Sequence, residues 1–408
     1  MDLAFYTNFA TSLVAQENQL NTLEQEVATG VAVQTPDQNP SAWETAAIGT
    51  DQLNTLNSES TSLADIQGQI GNVSDVYSSV STLLDSVQSA VEQALNGTTS
   101  SANMQSIATQ VGASEQQLLG LGNTTGTNGT YLFGGTRGNV QPFQTQADGS
   151  VTYMGDGGTS QAAISSDLTA STIANGEAFM TGMQGDGYAS VTATSSNTGS
   201  GILLPDGVTS PTAAAAFQAS GQSGAVTVAF SGSGSDLSYT TSTTSAGGVT
   251  TTSSPVTVTS GSPLTIDGME FQLSGTPTSG DSFTIAPSQP QSAFSLLSSI
   301  ASTLQNAGST SAAVTSQALN QDLSSLAQYQ QTVVTAQAQA GVTLQSLTST
   351  TSNNSTQETA LQTSVSNATS VNMPAALTSL NENLTAVQAA MKAFSSVQSL
   401  SLFNYISG

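Results

Sequence analysis

Cysteine and histidine are both absent from the 408 residues. Without them there is no disulfide framework, no thiolate or imidazole metal site, no thiol nucleophile and no Ser-His or Cys-His catalytic arrangement. Basic residues are almost as scarce: Arg137 and Lys392 stand against 26 Asp and Glu, a formal net charge of -24. A surface of that sign repels DNA, RNA and anionic lipid, so no nucleic-acid or membrane partner is expected. Charged residues make up only 7% of the chain, and Ser, Thr, Asn and Gln take their place. Two readings of that scarcity stand side by side. One is an acidic external medium in which carboxylates protonate and salt bridges weaken, the other a compositional bias of the lineage. The first basic residue is Arg137, so the N-terminus lacks the positive region of a secretory signal peptide. No stretch approaches the roughly 20 apolar residues of a membrane span. A soluble chain that leaves the cell, if it does, without a cleaved signal is the expectation.

What the chain does contain is helical periodicity at both ends. Met373, Leu377, Leu380, Leu384, Val387, Met391 and Phe394 advance by alternating steps of four and three, the period of a coiled-coil seam. Only Glu382 and Lys392 are charged among the residues between them, so shape rather than ion pairing must select the partner helix. The segment closes on Ser399 to Ile406, where Leu402, Phe403 and Tyr405 make the helix apolar nearly all round. Tyr6, Phe9, Leu13, Leu20, Leu23 and Val27 keep the same alternation at the other end, with Gln16 the polar intruder. The termini are therefore expected partners. Because chain ends fray unless something docks them, Phe9, Leu13, Leu20, Leu23, Val27, Leu377, Leu380, Leu384, Val387, Met391, Phe394, Leu402, Phe403 and Tyr405 are candidate positions for packing between molecules, with an intramolecular core as the alternative.

Between the termini, Gly30 ends the first helix and the stretch through Pro36, Asp37 and Pro40 forms a turn, with Ser41 the expected cap of a second helix. Its seam runs Leu56, Leu63, Ile66, Ile70, Val73, Tyr77, Val80, Leu84, Val87 and Val91, with Glu59 out of pattern, and reads as ordinary core. A shorter helix spans about Ser101 to Leu121. From Gly126 the pattern becomes Gly- and Thr-rich and extended, with strands expected near 151–154, 225–230, 237–241, 256–259, 264–273 and 282–286. Asp148-Gly149 and Asp267-Gly268 suit tight two-residue turns with positive φ. Helical periodicity returns after Pro290 at Phe294, Leu297, Ile300 and Leu304, then along Leu323, Leu326, Val333, Leu344 and Leu347, where Gln330 and Gln337 at seam positions imply weaker packing. The expected fold class is α+β: an elongated antiparallel helical bundle or coiled coil made by the N- and C-terminal parts, carrying an inserted β-rich domain. Residues 1–40 and 370–408 are terminal assembly segments, 41–130 and 290–369 a helical core, and 131–289 the insert, which is expected to be removable from Asn139 to Ser288.

Chemistry is thinly supported. Gly134-Gly135-Thr136-Arg137-Gly138 lacks the lysine of a phosphate loop and opens no helix, so it reads as a tight turn. Asp267, Glu270 and Asp281 form the best carboxylate cluster, but Asp267 and Asp281 have turn roles, and no acidic stretch has calcium-loop spacing. No catalytic residue, cofactor or metal is assigned.

Several stretches are similar to a known family. Ala28-Thr29-Gly30 followed by Thr35-Pro36-Asp37-Gln38-Asn39-Pro40 resembles a turn of flagellin-type proteins. Tyr131-Leu132-Phe133-Gly134-Gly135-Thr136, Pro142-Phe143 and Tyr153-Met154-Gly155-Asp156 look like the junction of helical core and insert in the flagellar hook-associated protein 3 family (FlgL). Gly275-Thr276-Pro277 with Gly280 to Ile285 resembles the end of that insert, and Ser401 to Ile406 the closing motif. Asn372 stands where the family usually has an acidic residue, and Gly341-Val342-Thr343 where it has an arginine. The resemblance implies a non-catalytic structural protein exported through the flagellar type III apparatus. It implies a ring of copies of the chain, outside the cell, between the first hook-associated protein and the flagellin filament, and an export chaperone on the C-terminal helix. Flagellin itself and a Ser/Thr-rich surface adhesin are the rival readings.

Overall fold

The computed structural model describes residues 3–96, 99–158, 161–165, 168–171, 174–244, 248–258 and 263–406. Three helices come first: α1 (Leu3–Thr29), α2 (Pro40–Leu95) and α3 (Ser101–Gly122). Strands then dominate, interrupted by two short helices. They run β1 (Phe143–Thr145), β2 (Val151–Tyr153), β3 (Gln161–Ser165), β4 (Leu168–Ser171), α4 (Glu177–Met180), β5 (Gly182–Met183), β6 (Ala189–Ala193), β7 (Ile202–Val208), α5 (Pro211–Ala219) and β8 (Val226–Ser231). After them come β9 (Ser238–Thr244), β10 (Thr250–Thr252), β11 (Val256–Thr257), β12 (Leu264–Ile266), β13 (Met269–Ser274), β14 (Ser282–Pro287) and β15 (Pro290–Gln291). The chain closes with α6 (Ala293–Asn306), α7 (Ala312–Thr369) and α8 (Met373–Ile406). The architecture is α+β, with N- and C-terminal helices flanking a β-rich insert. No helix of the described residues is long and apolar enough to cross a membrane.

Two compact units result, Met1–Leu63 with Ser349–Gly408 and Ala64–Thr348. In the second, the α2 seam from Ile66 to Val91 is buried as its period requires, and from Val73 onward it shares one core with Val111 and Leu118 of α3, Phe294, Leu297 and Ile300 of α6, and Leu326 and Val333 of α7. Aromatic rings complete this helical core from outside the long helices. Phe133, Phe143 and Phe179 are each almost fully buried, and Phe179 lies 5.0 Å from Phe133 and 5.3 Å from Phe143, centroid to centroid.

The insert is antiparallel throughout. One sheet has the order β10-β9-β8-β14-β6, with β11 also on β9; a second is β12-β13-β7. Their alternating apolar residues, among them Val191, Leu203, Val228, Phe271, Phe283 and Ile285, form a separate core. The chain enters and leaves this body through a neck, β5 paired with β15 (Met183 opposite Pro290). Turn chemistry follows the sequence at one of the two expected sites. Asp267 and Gly268 have φ of 47° and 76° in a two-residue turn, whereas at 148–149 only Gly149 is positive and Gln146 pairs with Ser150, a longer loop. A second correction concerns α2. Asn39 Oδ1 accepts from the Ala42 amide at 3.2 Å and Pro40 takes the first helical position, so the cap is Asn39 and not Ser41.

Asp281 ties the insert together. It is 2% exposed, and its carboxylate accepts from the backbone amides of Thr198, Gly199 and Thr278 at 2.8, 3.0 and 2.8 Å. Burial pushes its pKa up, but these hydrogen bonds outweigh burial and hold the carboxyl below its ordinary value of 3.8. A depressed acid stabilises the fold above its unfolded-state pKa and loses that contribution as pH falls through the folded value. Asp281→Asn should therefore cost the insert about 2–4 kcal/mol at neutral pH, read from denaturant midpoints, from the loss of charge-assisted bonds to buried amides. The gap between variant and parent should shrink below pH 4; a gap that is constant from pH 7 to pH 3 would remove the charge from the explanation.

Candidate assembly interface

The terminal helices meet because the chain ends of α1 and α7 are tied at one joint. Gly30, with φ of 74°, ends α1 in the left-handed conformation open to glycine, and its amide donates to Glu26 O at 2.8 Å. The Ala32 amide donates to Thr369 O at 2.7 Å and the Val371 amide to Gly30 O at 2.9 Å, a small bridge between the two chain reversals. Asn372 then caps α8, its Oδ1 accepting from the Ala375 amide at 3.3 Å. An asparagine oxygen serves that role without the charge of an acidic residue, so the departure from the family pattern leaves the cap in place.

From this joint α8 runs back along α1, antiparallel. On α1 the stripe positions Phe9, Leu13, Leu20, Leu23 and Val27, and Gln16 among them, are all half-buried. On α8 the stripe divides. Leu380, Leu384 and Phe394 are half-buried and Val387 is buried, and Phe9 stacks on Phe394 with centroids 4.7 Å apart and planes 6° from parallel. Met373, Leu377 and Met391 remain 39%, 43% and 48% exposed. The other shielded places on α8 go to Ala376, which is buried, and to Asn383 and Ala390, half-buried, small residues of the kind that let two backbones approach. Alanines two heptads apart were the available signal. The side chains of Tyr6, Leu402, Phe403 and Tyr405 lie outside the described residues.

The same unit contains the outer ends of α2 and α7. They approach so closely at Gly49 that a Cβ there would sit 2.5 Å from Val365 Cγ2. Asn354 is buried and donates to Glu59 at 3.3 Å, which gives the out-of-pattern Glu59 a partner. A polar pair at one seam position fixes register at some cost in stability.

Chemical alternatives find little support in the geometry. Among the described residues no group of three or more His, Cys, Asp or Glu is placed to hold a metal. The Asp281 carboxylate is occupied by amides and Asp267 is a turn residue. In the glycine cluster, the Thr136 amide and hydroxyl both donate to Asp156, and Gly135 has φ of 65° against the Asp156 carbonyl, so this loop closes on itself. What remains exposed at the termini is amide, hydroxyl and apolar surface with few charges, suited to docking against another helical face.

Residues 2–137 match the bacterial flagellin N-terminal helical region. The flagellar hook-associated protein 3 of Escherichia coli (strain K12) is 29% identical over 148 residues, which is 34% of this chain and 46% of that protein. The chain thus spans about half the length of the curated relatives it matches. Among solved structures, the flagellar junction protein FlgL from Legionella pneumophila aligns with a TM-score of 0.68 at 21% identity, over 80% of this chain and 100% of that one. FlgL from Xanthomonas campestris aligns at 0.62 and 25% identity, over 76% and 99%. The N-terminal region is thus similar in sequence to flagellin-type proteins and to hook-associated protein 3, and the fold is similar to that of solved FlgL structures over most of this chain.

Proposed function

We propose that this chain is a structural subunit of the bacterial flagellum, located outside the cell at the hook–filament junction, where flagellin assembles on it. The observation that carries this reading is the fold match across nearly the full length of two FlgL structures. Residues 1–40 and 370–408 act as the assembly segments, through Phe9, Leu13, Leu20, Leu23, Val27, Leu380, Leu384, Val387 and Phe394, with exposed Leu377 and Met391 offered to neighbouring subunits and Leu402, Phe403 and Tyr405 assigned to the same segment from the sequence. Copies of the chain in a ring, the first hook-associated protein below and flagellin above are the partners, and an export chaperone holds the C-terminal helix before assembly. Exposed Leu377 and Met391 on α8 support a neighbour there, because an apolar ridge left in water has no intramolecular reason to be kept.

Immunogold labelling of purified flagella tests the reading. Gold confined to a single band where hook meets filament is the expected result. Label along the whole filament would make the chain a flagellin, and label on the cell surface away from flagella would make it an adhesin.

A further inference from the structure

Asp322 lies on α7 where that helix meets α6 and the insert, and it is 7% exposed. Its Oδ1 has one contact, the Ser299 hydroxyl of α6 at 3.5 Å, the outer limit for a hydrogen bond. Its Oδ2 has no partner. Arg137 donates to Met154 O, and no basic residue lines the space beside Asp322. Beside Asp322 is a cavity of about 200 Å³ whose walls come from α6, α7, β6 and the neck. Those walls hold hydroxyls and amides, among them Ser190, Thr192, Gln184 and Gln291, and no titratable group other than Asp322. The adjacent Gln321 is also half satisfied, its Oε1 accepting from the Val191 amide at 3.2 Å and its Nε2 without a partner.

An ionised carboxylate sealed in this place would be an unpaired buried charge, whereas the neutral acid is tolerated there at far lower cost. We propose that Asp322 is a pH-sensitive latch: protonated, it lets α7 close on β6 and the neck, and ionised, it draws water into the adjacent cavity and parts the insert from α7. The cavity walls are polar enough to hydrate the charge once opened, and water would also satisfy the free Gln321 amide. Burial raises the Asp322 carboxyl from 3.8 to about 7, with the Ser299 contact acting weakly in the opposite direction. In the open form the group is in water and titrates near its ordinary value. Between about pH 4 and pH 7 the closed form therefore keeps a proton that the open form has lost, and each rise of one pH unit favours opening tenfold. Below that window both forms are protonated, above it both are ionised, and the balance is level. The latch is tight in an acidic medium and loose near neutrality.

Hydrogen exchange of the full chain, read at residues 182–193 and 317–325 from pH 4 to pH 8 and corrected for intrinsic rates, tests this directly. Opening in the parent should rise about tenfold per pH unit and level off near pH 7, while Asp322→Asn, neutral and of the same shape, should stay closed and flat. The carbon-13 shift of the Asp322 carboxyl in the native chain gives a second reading that needs no variant. Titration near 3.8, or parent and Asp322→Asn profiles that coincide, would overturn the latch.

Discussion

Replacing Gly185–Ser288 by Asn-Gly should leave the helical core folded, whereas replacing Asn139–Ser288 by a short Gly-Ser bridge should abolish its cooperative melting. Gln184 and Gln289 are already cross-strand neighbours, the Gln184 amide donating to Gln289 O at 3.1 Å, so a two-residue turn continues the β5–β15 ribbon without strain. The narrow excision removes the insert's own core, which is separate from the helical one. It exposes Gln317, Gln321 and Gln328 of α7 to water, and amides that exchange protein partners for water lose only about 1 kcal/mol each. The wide excision also removes Phe143 and Phe179 from the helical core. Deleting a buried phenylalanine costs about 3–5 kcal/mol, so two of them approach the whole stability of an ordinary domain. It further strips the Phe179 carbonyl from the buried Tyr329 hydroxyl, which donates to it at 3.2 Å. Far-UV circular dichroism on heating separates the two. Equal melting of both deletions would mean that Phe143 and Phe179 contribute little to the helical core.

That contrast marks where the sequence could be read and where it could not. The α2 seam was legible residue by residue, because a 3.5-residue apolar period leaves one solution for a long helix, and Leu56 through Val91 are buried as it demands. The sequence reading placed all of 131–289 in the insert. Phe143 and Phe179 nevertheless pack with Phe294 and Tyr77, since a ring's burial partner depends on tertiary proximity and carries no periodic signal.

Equally invisible was the way α7 holds the insert. Gln317 is fully buried, its Oε1 accepting from the Leu203 amide and its Nε2 donating to Leu203 O and Val191 O, so that it takes the place of a strand between β6 and β7. Ser325 accepts from the Gly185 amide and Gln328 donates to Gly185 O. Glutamines on a helix read as a weak seam when only apolar positions are counted. Gln330, read that way, donates to Asp85 and Gln88 of α2, and Gln317, Gln321 and Gln328, which the periodicity did not mark, form a polar seam against open strand edges with Asp322 within it.

For the terminal helices the expected result is that Leu384→Asp with Val387→Asp prevents filament growth on intact hooks, while Thr385→Asp with Gln388→Asp does not. Leu384 is half-buried and Val387 buried on α8 along its approach to α1, whereas Thr385 and Gln388 are exposed. Between Met373 and Phe394, α8 carries Glu382 and Lys392 as its only charges, and α1 adds only the acidic Glu17, Glu24 and Glu26, so a new carboxylate finds no dedicated counter-ion. Burying two of them costs on the order of several kcal/mol, enough to part a two-helix contact that rests on few side chains. The exposed pair adds the same charge to the same helix and so controls for net charge, helix propensity and export signal together. Secreted flagellin in the medium, hooks in micrographs and swimming are the readouts, with the amount of exported variant measured to set aside a failure of secretion. Filaments on the hooks of cells carrying the seam pair would mean that α1–α8 packing is not what builds the chain into the flagellum. Loss of filaments with the exposed pair as well would extend the assembly contact to the exposed flank of α8 that Thr385 and Gln388 occupy.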